Sequence, residues 1–228
     1  MIKNISNLGD AAVYCDFGSE VNEKINLNVI NYFNNLSKLV KEHKINGINN
    51  ITPSYNKLII SFDLSATNYA EIKKIILNLN VNKDFTNNYQ KIEIPICCDD
   101  EFGLDFDRLS IKTKLLKAEI LELYLNKEYF CYMTGFIAGM PFLGDINKNI
   151  RCDRLETPRV KVPKGSVGIT EQFANIYTFE SPGGWNIIGN TPKKVFDRLN
   201  LEEPVLIKPG NKVSFYQISK EEYLNWNE

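Results

Sequence analysis

The sequence predicts an α+β protein in which an N-terminal unit of strands and helices gives way to a unit built mostly of strands. Three observations carry this reading. Apolar residues recur at helical spacing twice before Asn80, a polar stretch from Asn80 to Gln90 then breaks the pattern, and from Tyr129 onward short apolar runs are punctuated by glycine and proline. The polar stretch reads as a linker, so the units are placed at residues 1–88 and 89–228.

The elements follow in order. Residues 11–17 (AAVYCDF) read as a strand. Ile25, Val29, Phe33, Leu36 and Val40, spaced by three and four, form one face of an amphipathic helix. Two apolar runs, Ile45 to Ile51 and Leu58 to Phe62, flank Pro53-Ser54-Tyr55-Asn56, which has hairpin-turn composition. A second helix carries Tyr69, Ile72, Ile76 and Leu79 on one side, with Thr67 or Asn68 as N-cap. Strand, helix, strand, strand, helix is the start of a ferredoxin-like βαββαβ sandwich. The alternating Ile92-Glu93-Ile94-Pro95-Ile96 either completes that sheet or opens the second unit. Residues 117–125 read as a helix, and the remainder as a β-barrel or sandwich. Late in the chain, Thr191 and Pro192 supply an N-cap and a first-turn proline for a helix over KKVFDRL.

The bulk composition narrows the function. With 228 residues and 43% hydrophobic content the chain has ample material for a core. Lys+Arg 27 against Asp+Glu 28 gives net charge -1, no field to hold nucleic acid or an acidic membrane. No apolar run approaches the ~20 residues needed to span a bilayer, so a cytoplasmic protein is expected. Cys15, Cys97, Cys98, Cys131 and Cys152 include no CxxC pair and read as reduced thiols. His43 is the single histidine, which excludes a multi-histidine metal site, and it reads as a cation at a helix C-terminus. The acidic patch Asp99, Asp100, Glu101, Asp105 and Asp107 lacks calcium-loop spacing and reads as a solvated connection. No metal is implied.

Candidate site residues concentrate between Gly135 and Pro192. Gly135 to Gly144 (GFIAGMPFLG) alternates small and large residues, with Phe136 and Phe142 placed to line a pocket or fill a barrel corner. In Thr157-Pro158-Arg159 the proline restricts the backbone beside a guanidinium suited to bidentate recognition of a small anion. Gly165-Ser166 adds a turn with exposed amides and a hydroxyl, but the chain has no P-loop ending. Glu180-Ser181-Pro182-Gly183-Gly184-Trp185 reads as a hairpin turn anchored by an indole, or as a rim whose amides face a ligand.

Taken in order and spacing, GFIAGMPFLG, TPR, VPKGSVGI, NIY, ESPGGW and IIGNTP resemble the core of the family that comprises the 5-oxoprolinase B subunit, KipI and allophanate hydrolase subunit 1. Weaker similarity covers nearly the whole chain, including Gly9-Asp10, ITPSYNKLIISFD and IPICCDDEFGLD. The resemblance implies a cyclophilin-like β-barrel as the second domain, without prolyl isomerase activity. It also implies a partner of the 5-oxoprolinase C type, equivalent to allophanate hydrolase subunit 2. With a third protein, of the 5-oxoprolinase A type, such a pair forms an ATP-dependent 5-oxoprolinase opening a lactam to glutamate, with ATP a cofactor of the complex. Urea carboxylase contains the same paired domains, and KipI-like members inhibit a sensor histidine kinase; these are the alternative functions. The substrate is expected to be a small anion or amide, held by Arg159, Ser166, Tyr177, Ser181, Gly183, Gly184 and Trp185. Tyr124, Phe173 and Asn190 stand where relatives often carry histidine, glutamine and arginine, which weakens the case for conventional proton transfer in this chain.

Overall fold

The computed structural model describes residues 2–81 and 89–227, so most of the expected linker lies outside the described residues. The chain divides into two compact units, Met1–Asn88 and Tyr89–Glu228. The first contains an antiparallel four-stranded sheet in the order β1-β2-β4-β3, formed by β1 (Asn4–Asn7), β2 (Ala12–Asp16), β3 (Ile48–Pro53) and β4 (Lys57–Phe62). Helices α1 (Glu23–Lys41) and α2 (Tyr69–Asn78) pack on it. Alternation along β2 and β4 builds the core: Val13, Cys15, Leu58, Ile60 and Phe62 point to one face and meet Val29, Leu36, Ile72 and Ile76 of the helices.

Both helix starts follow from local chemistry. The Asn22 side chain accepts from the Ile25 amide at 2.9 Å and the Asn68 side chain from the Glu71 amide at 3.1 Å. Thr67, the other N-cap candidate, donates instead to the Glu71 carboxylate at 2.9 Å. Helix α1 ends with His43 in the left-handed region (φ 54), its amide bonded to the Val40 carbonyl at 3.0 Å. Buried Asn26 donates to the carbonyls of Ser54 and Tyr55 at 2.9 and 2.8 Å, which ties α1 to the β3–β4 turn.

The strand left open by the sequence, β5 (Lys91–Cys97), belongs to the second unit. There it joins β6 (Glu128–Thr134), β7 (Pro141–Gly144), β9 (Ser166–Thr170), β10 (Phe173–Ile176), β12 (Asn186–Asn190) and β13 (Lys212–Ile218) in a closed barrel, in the order β10-β7-β6-β13-β5-β12-β9. The fourth place in the first sheet is taken by β1, whose polar sequence NISN gives no periodic signal. The pairing of β13 with β5 is parallel and runs through seven residue pairs, from Lys212↔Lys91 to Ile218↔Cys97. A two-stranded ribbon of β8 (Arg159–Val162) and β11 (Ser181–Gly183) stands apart from the barrel ladder.

Helices α3 (Phe106–Thr113) and α4 (Lys117–Leu125) pack on β12 and β13, and α5 (Lys220–Leu224) lies near β5. Of the acidic patch read as a solvated connection, Asp99, Asp100, Glu101 and Asp107 are exposed, and Asp105 is the exception. Asp105 at the start of α3 is 5% exposed, and Asp100 and Glu101 form ion pairs with Lys117 and Lys220 at 2.7 and 2.9 Å. The helix expected over KKVFDRL is corrected: this stretch is irregular and Phe196 bridges to Val205. Burial of Val195 and the contact of Phe196 with the Gly139 turn outweigh its helix-start chemistry.

All five cysteines are buried and unbridged, and burial pushes the thiols of Cys15 and Cys98 up to about 12. A chromogenic disulfide reagent at pH 8 should therefore find no fast-reacting thiol in the native protein and five after guanidinium unfolding. A native thiol that reacts within seconds would contradict the packing.

Candidate functional site

The sequence motifs converge where the β8–β11 ribbon covers the wall made by β9, β10 and β12. Strand alternation makes this possible: Val167, Ile169 and Ile188 enter the barrel core, whereas Gly168 and Ile187 face the ribbon side. Met140, Val162, Tyr177 and Ile187 form a second small apolar cluster there, with Phe142 packed against it. Trp185 closes one end, its ring edge-on to Phe142 at 5.6 Å. Gly183 is required beneath Tyr177, because a Cβ would meet the Tyr177 hydroxyl. Burial raises the pKa of that hydroxyl.

Most predicted site residues are therefore brought together, but in a packed layer. Tyr177 is 1% and Ser166 2% exposed, and the Tyr177 amide donates to the Ser166 carbonyl at 2.9 Å. The Gly184 carbonyl accepts from the Leu155 amide at 2.8 Å. The Ser181 hydroxyl is buried with no hydrogen-bond partner among the described residues. Phe136, expected as a pocket wall, is 69% exposed with φ 67 and lies outside the packed cluster that holds Phe142.

Arg159 requires the largest correction. Its guanidinium donates to both carboxylate oxygens of Asp105, at 3.0 and 2.7 Å, so the fork expected to clamp an anion is occupied from within the chain. Asp105 also accepts from the Ile187 amide at 2.6 Å. The result pins α3, β12 and the ribbon at one point. Beside it, Arg108 donates to Asn186, to the Asp153 carbonyl at 3.1 Å and to the Arg154 carbonyl at 3.2 Å, which fixes the irregular segment before the ribbon.

The open concave surface lies at the far edge of this layer. A cavity of about 360 Å³ is lined by Lys164, Thr178, Thr191, Lys193, Lys194 and Tyr223, with Gly165 and Tyr177 joining it to the packed layer. Four separated stretches build it. Asn190 holds them from behind: its side chain donates to the Lys164 carbonyl at 2.9 Å and accepts from the Tyr223 hydroxyl at 2.9 Å. The sequence marks Lys164 only as a member of the VPKGSVGI motif and Lys193 and Lys194 only as helix residues. Their convergence depends on the barrel closing, which leaves no local signal.

Tyr124 and Phe173 lie elsewhere. Tyr124 is fully buried against Tyr129 and Phe215, at ring distances of 5.1 Å each, and Phe173 packs edge-on to Tyr132 at 5.8 Å. Among the described residues no His, Cys, Asp or Glu group suits a metal, and no helix is long and apolar enough to cross a membrane.

The sequence profile described as carboxyltransferase domain, subdomain C and D, matches residues 3–207. The chain is 30% identical over 236 residues to the 5-oxoprolinase B subunit of Bacillus subtilis, covering 98% of this chain and 96% of the relative. It is 22% identical over 244 residues to urea amidolyase of Saccharomyces cerevisiae, covering 94% of this chain and 13% of that protein. Among solved structures, that of TTHA0988 superposes with a TM-score of 0.79 at 26% identity, over 92% of this chain and 40% of that one. The chain thus spans less than half the length of that structure.

Proposed function

Because the chain belongs to the carboxyltransferase domain, subdomain C and D, family, we propose that it is a non-autonomous subunit of an ATP-dependent 5-oxoprolinase-type complex. The observation that carries this reading is the end-to-end similarity to a protein named as the B subunit of 5-oxoprolinase, 98% of one chain against 96% of the other. A protein of the 5-oxoprolinase C type is the proposed partner, one of the A type completes the complex, and ATP acts at the level of that complex. In this reading the barrel is cyclophilin-like, and the N-terminal sheet is a ferredoxin-like variant in which β1 takes the edge place. The cytoplasm is the proposed location.

The absence of a histidine from the barrel half supports a role in holding substrate, with proton and phosphoryl chemistry supplied by the partners. Co-expression with the A-type and C-type proteins tests it. The assembled complex is expected to convert 5-oxoproline to glutamate with ATP consumption, and the isolated chain to show no turnover. Robust activity from the chain alone, or an assembled complex inert towards 5-oxoproline but active on urea, would overturn this reading.

A further inference from the structure

We infer that the cavity bounded by Lys164, Lys193 and Lys194 is a binding site for a small carboxylate that also carries an amide N–H. The charge balance points to the anion. Of the three ammonium groups only Lys194 forms an ion pair with a carboxylate among the described residues, Asp197 at 2.9 Å. Lys193 donates to a backbone carbonyl, that of Glu93 at 3.3 Å, which leaves its charge uncompensated. Lys164 reaches Asp197 only through its longer-range field, and that carboxylate is already held by Lys194. No acidic side chain among the described residues lines the cavity, so an anion entering it meets a net positive field that is partly shielded from solvent.

The hydroxyls define the rest of the ligand. Thr191 Oγ1 accepts from the Lys193 amide at 3.2 Å, and its own proton remains to donate to an anion. Thr178 Oγ1 spends its proton on the Ala138 carbonyl at 2.7 Å, and the Tyr223 hydroxyl spends its proton on Asn190. Both therefore offer only lone pairs to the cavity and call for a ligand donor. Ile176, Pro192 and Val195 add apolar surface for a short hydrocarbon ring. An anionic head, an N–H and a small apolar body together describe a lactam acid. In naming the lactam the inference rests on the function proposed above, whereas the anion site rests on the cavity alone.

Isothermal titration calorimetry on the purified chain tests the two parts. The ligands are 5-oxoproline, uncharged 2-pyrrolidinone and inorganic phosphate, and the proteins are wild type, Lys164→Gln, Lys193→Gln and, as a control in the first unit, Lys41→Gln. Saturable 5-oxoproline binding is expected, about tenfold weaker in Lys164→Gln and in Lys193→Gln and unchanged in Lys41→Gln, since each cavity variant removes one charge-assisted contact. 2-Pyrrolidinone should bind at least about tenfold more weakly than the acid. Phosphate binding without 5-oxoproline binding would overturn the lactam and keep the anion site. The assembled complex supplies the second readout, a raised KM for 5-oxoproline with kcat retained in the two cavity variants. No binding to the chain together with an unchanged KM in the complex overturns the site. Binding in the cavity beside a complex that opens no lactam would instead refute the proposed function.

Discussion

Arg159→Ala is expected to destabilise the second unit by about 3–5 kcal/mol, because it strands a carboxylate that is 5% exposed. At this chain length that corresponds to a fall in melting temperature of roughly 10 °C. The cost arises less from the lost attraction than from leaving Asp105 desolvated with only the Ile187 amide to satisfy it. Arg159→Lys keeps a cation but replaces two parallel bonds by one, so a smaller loss of about 1–2 kcal/mol is expected. The double variant Asp105→Ala/Arg159→Ala should cost less than the two single substitutions summed. The alternative is that the guanidinium serves a ligand. Unchanged melting of Arg159→Ala together with a loss of 5-oxoproline or phosphate affinity would establish that and remove the structural role.

Gly165→Ala is expected to be comparably severe, at about 2–4 kcal/mol, because two effects combine. The residue sits at φ 83, in the left-handed region, and a Cβ there would strike the Asn190 side-chain oxygen and the Thr191 carbonyl. Its backbone cannot retreat, since its amide donates to the Tyr177 carbonyl at 2.7 Å and its carbonyl accepts from the Thr191 amide at 2.9 Å. Gly9 separates the two effects: at φ 61 a Cβ added to it would meet nothing within 4 Å, so Gly9→Ala carries backbone strain alone, about 1 kcal/mol. Chemical denaturation of both variants measures the difference. Equal losses would show that the cavity wall yields to a methyl group.

What could be read from the sequence is what periodicity and capping encode. The helical faces of α1 and α2, the helix at 117–125 and the turn after Pro53 all follow from residues close together in the chain. The site was legible as a region, because its glycines and aromatics mark close backbone approach, but its internal geometry was not. Arg159 and Asp105 lie in separate motifs, and nothing local identifies one as the partner of the other. Asp105 looked solvated because its neighbours Asp99, Asp100 and Glu101 are charged, yet α3 turns it inward. The stretch after Pro192 fails in the opposite sense, since strong capping signals precede residues whose burial at the barrel end outweighs them.

The parallel ladder between β13 and β5 orders events during synthesis. A ribosome emits β5 first among the barrel strands and β13 last, so the seam stays open until Ile218 has emerged. During that interval β5 lacks its longest partner and β6 lacks the neighbour that pairs Lys212 with Phe130, leaving two unsatisfied edges able to recruit other chains. A fragment ending at residue 207, where the family profile stops, keeps both edges permanently. Nascent chains stalled there should aggregate or engage chaperones, whereas release of the next dozen or so residues seals the cylinder and withdraws them from that fate.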